Sequence, residues 1–320
     1  MSYNISMKRL SRDHLAVART FLFERGRPLE MHQYLYLFAK LPVDQTLIEL
    51  AGYQNADGGF GNALEPDLRC GESSALATSV AFQVMHRCNI DRDHELMRSA
   101  IRYLTESLEP NGQGWRIIPD SARSSDSAPW WTAPPDEANQ QAALNPTAEL
   151  LGYLIQYASD DAGDQIEPVG DFVIRSLEAD PETPLESHDL LCIDRLARLA
   201  TNRPRIAELA RHRVQRDAPK VVMMDPAKWG GYGLMPLWLA DRSDAPAAQV
   251  LGEEILNTNL DYELARQANF GCWEPSWDWG PDNRASWELA KSDWQGVLTF
   301  QTLLALRAFG RIEQSPIDSA

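Results

Sequence analysis

The chain has 320 residues, of which 44% are hydrophobic and 24% charged, enough to bury a large core in one domain or in two smaller ones. Its formal net charge of −16 argues against a nucleic-acid-binding surface, which needs clustered Lys and Arg. The N-terminus lacks the continuous apolar stretch of a signal peptide, and no apolar run is long enough to span a bilayer. The four cysteines show no paired spacing, as in proteins of a reducing compartment, so we expect a cytoplasmic protein.

The hydrophobic pattern is helical along most of the chain. Apolar residues at helical spacing predict three early helices, around 15–22, 35–38 and 47–51. The segment Ser73–Cys88 is apolar on nearly all sides, which predicts a buried inner helix. Residues 92–108 are amphipathic and charged, which predicts an outer helix beside it.

The second half of the chain continues in the same way. Pro146–Tyr157 predicts another inner helix, with Asn145 as its N-cap and Pro146 in its first turn. Further helices are predicted at 170–178, 186–201 and 203–216. The last one, Asp293–Phe309, is strongly apolar and ends at Gly310. A Ser/Pro/Trp-rich insertion at about 120–140 interrupts this pattern, and no segment alternates as a strand would.

A glycine-aromatic turn recurs along the chain. Its best copy is 54–61 (QNADGGFG), where paired glycines permit positive φ and close backbone approach. Imperfect copies lie at 111–115, 229–233 and 267–273. Helix pairs joined by repeated turns stack into an open solenoid or a closed ring. Because neither end carries a polar capping repeat, we predict an all-α fold, a closed α/α toroid formed by residues 1–320 as one domain.

These residues carry a family resemblance. The turn at 54–60 (QNADGGF) resembles the glutamine/tryptophan-type repeat of terpenoid cyclases and protein prenyltransferase β subunits. The segment Glu65-x-Asp67-x-Arg69 resembles a Gly-Glu-x-Asp-x-Arg segment of the β subunits, and 145–148 (NPTA) resembles the start of another inner helix. The resemblance is closest over residues 50–85. It implies a toroid with a central cavity that Arg69 faces.

The reactive motifs of that superfamily are mostly missing. The chain contains neither the Asp-x-Cys string of zinc-binding prenyltransferases nor the Asp-x-Asp-Asp string of class II terpene cyclases, so we expect no metal and no cofactor. Asp160–Asp164 reads DDxxD, a spacing that binds magnesium on a helix, but its glycine favours a solvated turn. His188 and Cys192 share a helix face and offer two metal ligands without a third, so we interpret them as packing residues.

Charged residues after the first turn are the leading candidates for catalysis. Glu65 and Asp67 are predicted to orient the substrate or to act as acid and base, because burial raises the pKa of a carboxyl group into the useful range. The alternative is that Glu65, Asp67 and Arg69 form a solvated charged turn. Arg69 is predicted to bind an anionic end of the substrate. Asp225 and Asp278 are further catalytic candidates, with turn capping as their alternative role.

Aromatic side chains form the second candidate group. Their faces stabilise cations and also stack on sugars, and the alternative is that they pack the turns between helices. The predicted substrate-binding residues are Trp130, Trp131, Tyr232, Trp273, Trp277 and Trp279.

Three functions remain open at this stage. The leading one is an enzyme that cyclises, isomerises or hydrates an isoprenoid or other hydrophobic small molecule by acid catalysis in an aromatic-lined cavity. The second is a carbohydrate-active lyase or hydrolase of the α/α-barrel type. The third is a non-catalytic toroid that binds a lipid or a protein. Fold alone does not choose among them.

Overall fold

A computed structural model describes residues 7–133, 143–159, 163–179 and 182–313. Within these ranges the chain is all-helical, as predicted, and its only sheet-like pairings are isolated bridges. The α-helices are α1 (Arg12–Glu24), α2 (Pro28–Ala39), α3 (Asp44–Ala51), α4 (Ala75–Arg87), α5 (Glu95–Glu106), α6 (Pro129–Thr132), α7 (Leu144–Tyr157), α8 (Gly163–Ala179), α9 (Ser187–Leu199), α10 (Pro204–Val221), α11 (Pro236–Leu239), α12 (Ala248–Leu251), α13 (Glu253–Ala265) and α14 (Arg284–Ala308).

Two of the predicted inner helices form close to their predicted bounds. In α4 the Ser74 hydroxyl accepts a hydrogen bond from the Ala77 N–H at 2.9 Å, an N-cap that fixes the start of the helix. Eight side chains of this helix are buried, as its apolar sequence requires. In α7 the backbone of Asn145 is non-helical, so the regular helix begins at Pro146, which follows a cis peptide bond.

The later helices depart further from the sequence prediction. Helix α14 begins at Arg284, nine residues before the predicted start at Asp293. Only Trp287 and Ala290 are buried in this first part, so its hydrophobic period is weak. Helix α13 was not predicted. Two of its four buried positions are the polar residues Asn259 and Glu263, so its buried face does not show a helical hydrophobic period in the sequence.

Two copies of the glycine-aromatic turn have the same geometry. Gln54 Nε2 donates to the carbonyl oxygen of Gly58 at 2.9 Å and to a carbonyl oxygen of α5 at 3.2 Å. Gln267 Nε2 donates to that of Gly271 at 3.0 Å and to a carbonyl oxygen of α1 at 3.1 Å. Gly58 and Gly271 have φ of +92° and +100°, and a Cβ at either would lie within 2.5 Å of a carbonyl oxygen of the helix that its glutamine binds, α5 or α1. Only glycine fits both positions.

Each of these turns also binds the buried helix that follows it. The backbone N–H of Phe60 donates to the Thr78 hydroxyl of α4 at 3.1 Å, and that of Trp273 donates to the Thr299 hydroxyl of α14 at 3.1 Å. Trp115 makes a longer version of this bond, 3.4 Å, to a threonine of α7. The copy at 229–233 differs, because none of its three glycines has a positive φ. It is therefore not an equivalent turn.

The two ends of the described chain meet. The Leu10 N–H donates to the Arg311 carbonyl oxygen at 2.7 Å, and the Glu313 N–H donates to the Leu10 carbonyl oxygen at 3.0 Å. Helix α1 packs against both α2 and α14, and α14 packs against α2. The Gln54 turn links α5 to α4, and the Gln267 turn links α1 to α14 in the same way. Helix α1 is therefore related to α14 as α5 is to α4.

The predicted insertion lies partly within the described residues. It contains a 3₁₀ turn at Asp120–Ser124 and the short helix α6, whereas its residues 134–140 lie outside the described residues. Most of the Asp160–Asp164 string also lies outside them. Among the helices that the structure describes, none combines the length and the apolar character that crossing a bilayer requires.

Candidate active site

Three loops that lead into buried helices converge on one acidic residue. They are 61–74 before α4, 116–133 before α7, and 274–283 before α14. The Ala128 N–H of the second loop donates to the Asp67 carbonyl oxygen at 2.8 Å. The Trp279 indole of the third loop donates to the Asp67 carboxylate at 2.8 Å. The sequence separates these partners by 61 and 212 residues, so only the fold brings them together.

Asp67 is a buried carboxylate held by neutral donors. Its Oδ1 accepts hydrogen bonds from the Nε1 atoms of Trp279 and Trp294, both at 2.8 Å. Burial raises the pKa of Asp67. The indole N–H groups of Trp294, Trp279 and Trp277 and the charge of Arg69 oppose this rise and favour the ionised form. The Trp277 N–H thus also favours the ionised form of Asp67, although its Nε1 makes no hydrogen bond of normal geometry to a described residue.

Glu65 lies close to Asp67, but no indole N–H of the described residues donates to its carboxyl group. The residue is half-buried as a whole, but its Oε2 atom is fully buried and has no hydrogen-bond partner among the described residues. Burial and the charge of Asp67 raise the pKa of Glu65 well above its usual value. The backbone N–H groups of Leu68 and Asp67 and the charge of Arg27 oppose this rise. The stronger rise on Glu65 and the indole donors on Asp67 both favour a shared proton on Glu65 and a negative charge on Asp67.

A buried arginine fixes the loop that carries this pair. Arg27 Nη1 donates to the carbonyl oxygens of Ala63 and Leu64, both at 3.0 Å. Its other nitrogens bind the Glu30 carboxylate at 2.8 and 2.7 Å. Asn62 and Ala63 have φ of +56° and +62°, which is rare for residues with side chains. The arginine thus holds a strained turn directly before Glu65.

Arg69 does not stand alone in the structure. Its Nη1 lies 2.6 Å from Asp293 Oδ2, and both side chains are about one-fifth exposed. Its backbone N–H donates to the Ser127 hydroxyl at 2.8 Å. An anionic ligand would therefore meet an arginine whose charge is already balanced by a carboxylate.

The aromatic residues of the third loop form a connected group with α14. Trp277 makes edge-on contacts with Trp294, Tyr232 and Trp238, at ring-centre distances of 5.0, 6.1 and 6.3 Å. Trp279 lies 5.8 Å from Trp287. We call the following residues, which share one apolar contact network, the tryptophan cluster: Trp131, Trp277, Trp279, Trp287 and Trp294.

The remaining predicted site residues differ in burial and in their hydrogen bonds. Trp130 is 44% exposed. Trp273 is fully buried, and its indole donates to the Glu263 carbonyl oxygen at 2.9 Å, so it packs a turn. Asp225 and Asp278 are exposed, and each accepts a hydrogen bond from a backbone N–H two residues later, at 3.0 and 2.8 Å. In this structure both act as caps.

Several residues of the site were missed by the sequence prediction. They are Arg27, Ser127, Asp293 and Trp294. Trp287 and Trp294 are seven residues apart, which places them on the same face of a helix, and this spacing was the available signal. No local pattern relates Arg27 or Ser127 to a loop that lies far away in the sequence.

His188 and Cys192 do not face a common ligand. The His188 ring is exposed and forms hydrogen bonds with the Tyr232 hydroxyl at 3.2 Å and with Glu186 Oε2 at 3.3 Å. The Cys192 thiol is buried and donates to Glu149 Oε2 at 3.8 Å, and burial raises its pKa well above the usual value. In the part of the chain that the structure describes, no group of three or more His, Cys, Asp and Glu side chains is arranged to hold a metal.

Comparisons with known proteins do not assign the chain to a family. No protein-family model matches the chain, and no curated protein matches it significantly. The function is therefore argued from the geometry around Glu65 and Asp67.

Proposed function

We propose that this chain is an acid–base enzyme with the closed α/α toroid architecture of terpenoid cyclases and prenyltransferase β subunits. The repeated turns and the contact of α1 with the last turn support the ring. In it, α2, α4, α7, α9, α11 and α14 are the inner helices. Glu65, Asp67 and the tryptophan cluster lie at the N-terminal ends of α4 and α14, where the loops between outer and inner helices meet.

The observation that carries the proposal is the carboxyl pair. A fully buried glutamate oxygen without a partner lies beside an aspartate held by two indoles. This arrangement keeps a proton on Glu65 at a pH where an exposed glutamate has lost it. A group of that kind is suited to general acid catalysis.

The proposed substrate is an isoprenoid or another unsaturated hydrophobic molecule. Glu65 Oε–H gives its proton to one carbon of a C=C bond, and the other carbon becomes a cation. The cation either shifts the double bond or is attacked by a second C=C bond to close a ring. A proton then leaves an adjacent carbon and returns to the carboxylate pair, so that atoms and charge balance. The faces of the tryptophan cluster stabilise the cation.

A carbohydrate-active enzyme is the second candidate, and a different observation favours it. The helices assigned to the inner ring bury charged residues as ion pairs, such as Glu149 with Arg195 at 2.8 Å and Glu30 with Arg27 at 2.7 Å. An interior of this kind suits a polar ligand better than a purely apolar lining does. Tyr232, which is 61% exposed beside Trp277, offers a face on which a sugar could stack.

Deuterium incorporation tests the leading proposal. The protein is incubated in D₂O with geraniol, farnesol, geranylgeraniol and their diphosphates, and with a parallel set of oligosaccharides. We expect a carbon-bound deuteron in an isoprenoid product, and a rate loss of about hundredfold or more in Glu65→Gln, which keeps the shape and removes the acid. Glu72→Gln, an exposed glutamate on the same loop, is the matched control.

Two outcomes would contradict this assignment. Turnover by Glu65→Gln at the rate of the unchanged protein would remove Glu65 from catalysis. Conversion of the oligosaccharides, with no deuterium in any isoprenoid, would replace the leading function by the second one.

A further inference from the structure

Two indole N–H groups of the tryptophan cluster are buried without a partner. The Nε1 atoms of Trp131 and Trp277 are solvent-inaccessible and make no hydrogen bond to any described residue. Five other indoles differ. Trp279 and Trp294 donate to Asp67, and Trp115, Trp229 and Trp273 donate to backbone carbonyl oxygens. Buried donors are almost always paired in folded proteins, so two exceptions in one cluster call for an acceptor.

The two donors belong to the same site as the carboxyl pair. Besides the rest of the tryptophan cluster, Trp131 packs against a small apolar cluster that contains Leu68, the residue after Asp67. Its backbone N–H donates to the Ala128 carbonyl oxygen, and the Ala128 N–H donates to the Asp67 carbonyl oxygen. Trp277 packs directly on Trp294, whose indole binds Asp67. Glu65 Oε2 is the third buried polar atom of this region that lacks a partner.

We propose that the substrate carries a neutral oxygen acceptor, a hydroxyl, ether or carbonyl group, which receives hydrogen bonds from the Trp131 and Trp277 indoles beside Glu65. The inference rests on the proposed function and narrows its substrate class to oxygen-bearing molecules. An indole N–H can donate and cannot accept, so the pair selects for an acceptor and against a plain hydrocarbon. The aromatic rings around it accommodate the apolar remainder of the molecule.

A ligand series of constant chain length separates these contributions. The dissociation constants of farnesol, its methyl ether and the hydrocarbon farnesene are measured by calorimetry. The ether keeps the acceptor oxygen and loses the hydroxyl proton. We expect the alcohol and the ether to bind about tenfold more tightly than the hydrocarbon, since a net hydrogen bond contributes a factor of about two to ten. Methyl glucoside is added to detect a sugar as the source of the oxygen.

Removal of the N–H groups completes the test. In the double variant Trp131→Phe/Trp277→Phe, the preference for the oxygen-bearing ligands should fall to about twofold or less, because phenylalanine keeps an aromatic ring and cannot donate. Trp130→Phe, at an exposed neighbouring position outside the cluster, should keep the full preference. Circular dichroism verifies that each variant is folded.

The outcomes distinguish the two proposals. Equal binding of alcohol, ether and hydrocarbon overturns the inference and leaves the proposed function in place. A preference that survives in the double variant also overturns it. Binding of methyl glucoside alone, lost in the double variant, supports the oxygen site and overturns the isoprenoid function. If calorimetry detects no binding, the indole N–H resonances of isotope-labelled protein are recorded with and without each ligand. Resonances of Trp131 and Trp277 that no ligand shifts overturn both the oxygen site and the proposed function.

Discussion

The α7–α9 interface and the loop between α3 and α4 both bury a glutamate, and they treat its charge differently. Glu149, in α7, accepts from Arg195 Nη1 at 2.8 Å and from the Tyr153 hydroxyl at 3.2 Å. Among the described residues, no arginine is bound to the carboxyl group of Glu65, and its Oε2 has no hydrogen-bond partner. The carboxylate of Glu149 thus has a counter-ion bound to it, whereas at Glu65 burial and the charge of Asp67 raise the pKa and favour the protonated form. The first arrangement holds helices together, and the second is available for proton transfer.

The largest expected effect comes from breaking the paired site. Arg195→Met leaves Glu149 buried without its counter-ion, and we expect the free energy of unfolding to fall by about 3–5 kcal/mol. Urea unfolding at neutral pH measures it. Arg205→Met, which removes an exposed ion pair with Glu178, should change stability by less than about 0.5 kcal/mol. An equally small loss in Arg195→Met would mean that the pair with Glu149 does not stabilise the α7–α9 interface, and the contrast between the two glutamates would disappear.

The donors of Asp67 give a smaller effect. Trp294→Phe removes one of the two indole hydrogen bonds to its carboxylate and preserves most of the buried ring. We expect a stability loss of about 1.5–3 kcal/mol at neutral pH, the range for hydrogen bonds to charged groups. The pKa of Asp67 should rise further, because a group that favours the ionised form is gone. If the loss is as large in acid, where Asp67 is neutral, packing rather than the carboxylate explains it.

Glu65 should make stability depend on pH in a defined direction. The pKa of Glu65 is higher in the folded state than in the unfolded chain. Its contribution to the free energy of unfolding is therefore fully present when the pH lies below the pKa of the unfolded chain. That contribution is lost as the pH rises through the raised folded pKa. Glu65→Gln should remove this decline, so that the variant gains stability relative to the unchanged protein as the pH increases. Denaturant unfolding over a pH series measures the difference, and parallel curves would contradict the expectation.

An exposed acid should have the smallest effect. Asp225 caps a short 3₁₀ turn through a 3.0 Å bond to the Ala227 N–H. Asp225→Ala should cost about 0.5–1 kcal/mol, as loss of a cap does, with no change in catalytic rate. Thermal unfolding and the deuterium assay check the two parts. A rate loss with unchanged stability would restore Asp225 as a catalytic residue.

Local patterns predicted the helices better than the site. Helix α4 was found because its apolar residues and Ser74 lie next to one another in the sequence. The first turns of α14 were missed because their buried side chains pack on a loop and not on a continuous helix face. Glu65 and Asp67 were identified from their position after a glycine turn. The partners of Asp67, Trp279 and Trp294, lie more than 200 residues away, and no sequence period encodes such a contact.

The central claim is that Glu65 keeps its proton at neutral pH, and infrared spectroscopy tests it most directly. A protonated buried carboxyl group has a carbonyl stretch that is separate from the carboxylate bands and shifts in D₂O. The account predicts such a band at neutral pH, its loss in Glu65→Gln, and its persistence in Glu72→Gln. The absence of the band in the unchanged protein, or its survival in Glu65→Gln, would contradict the account.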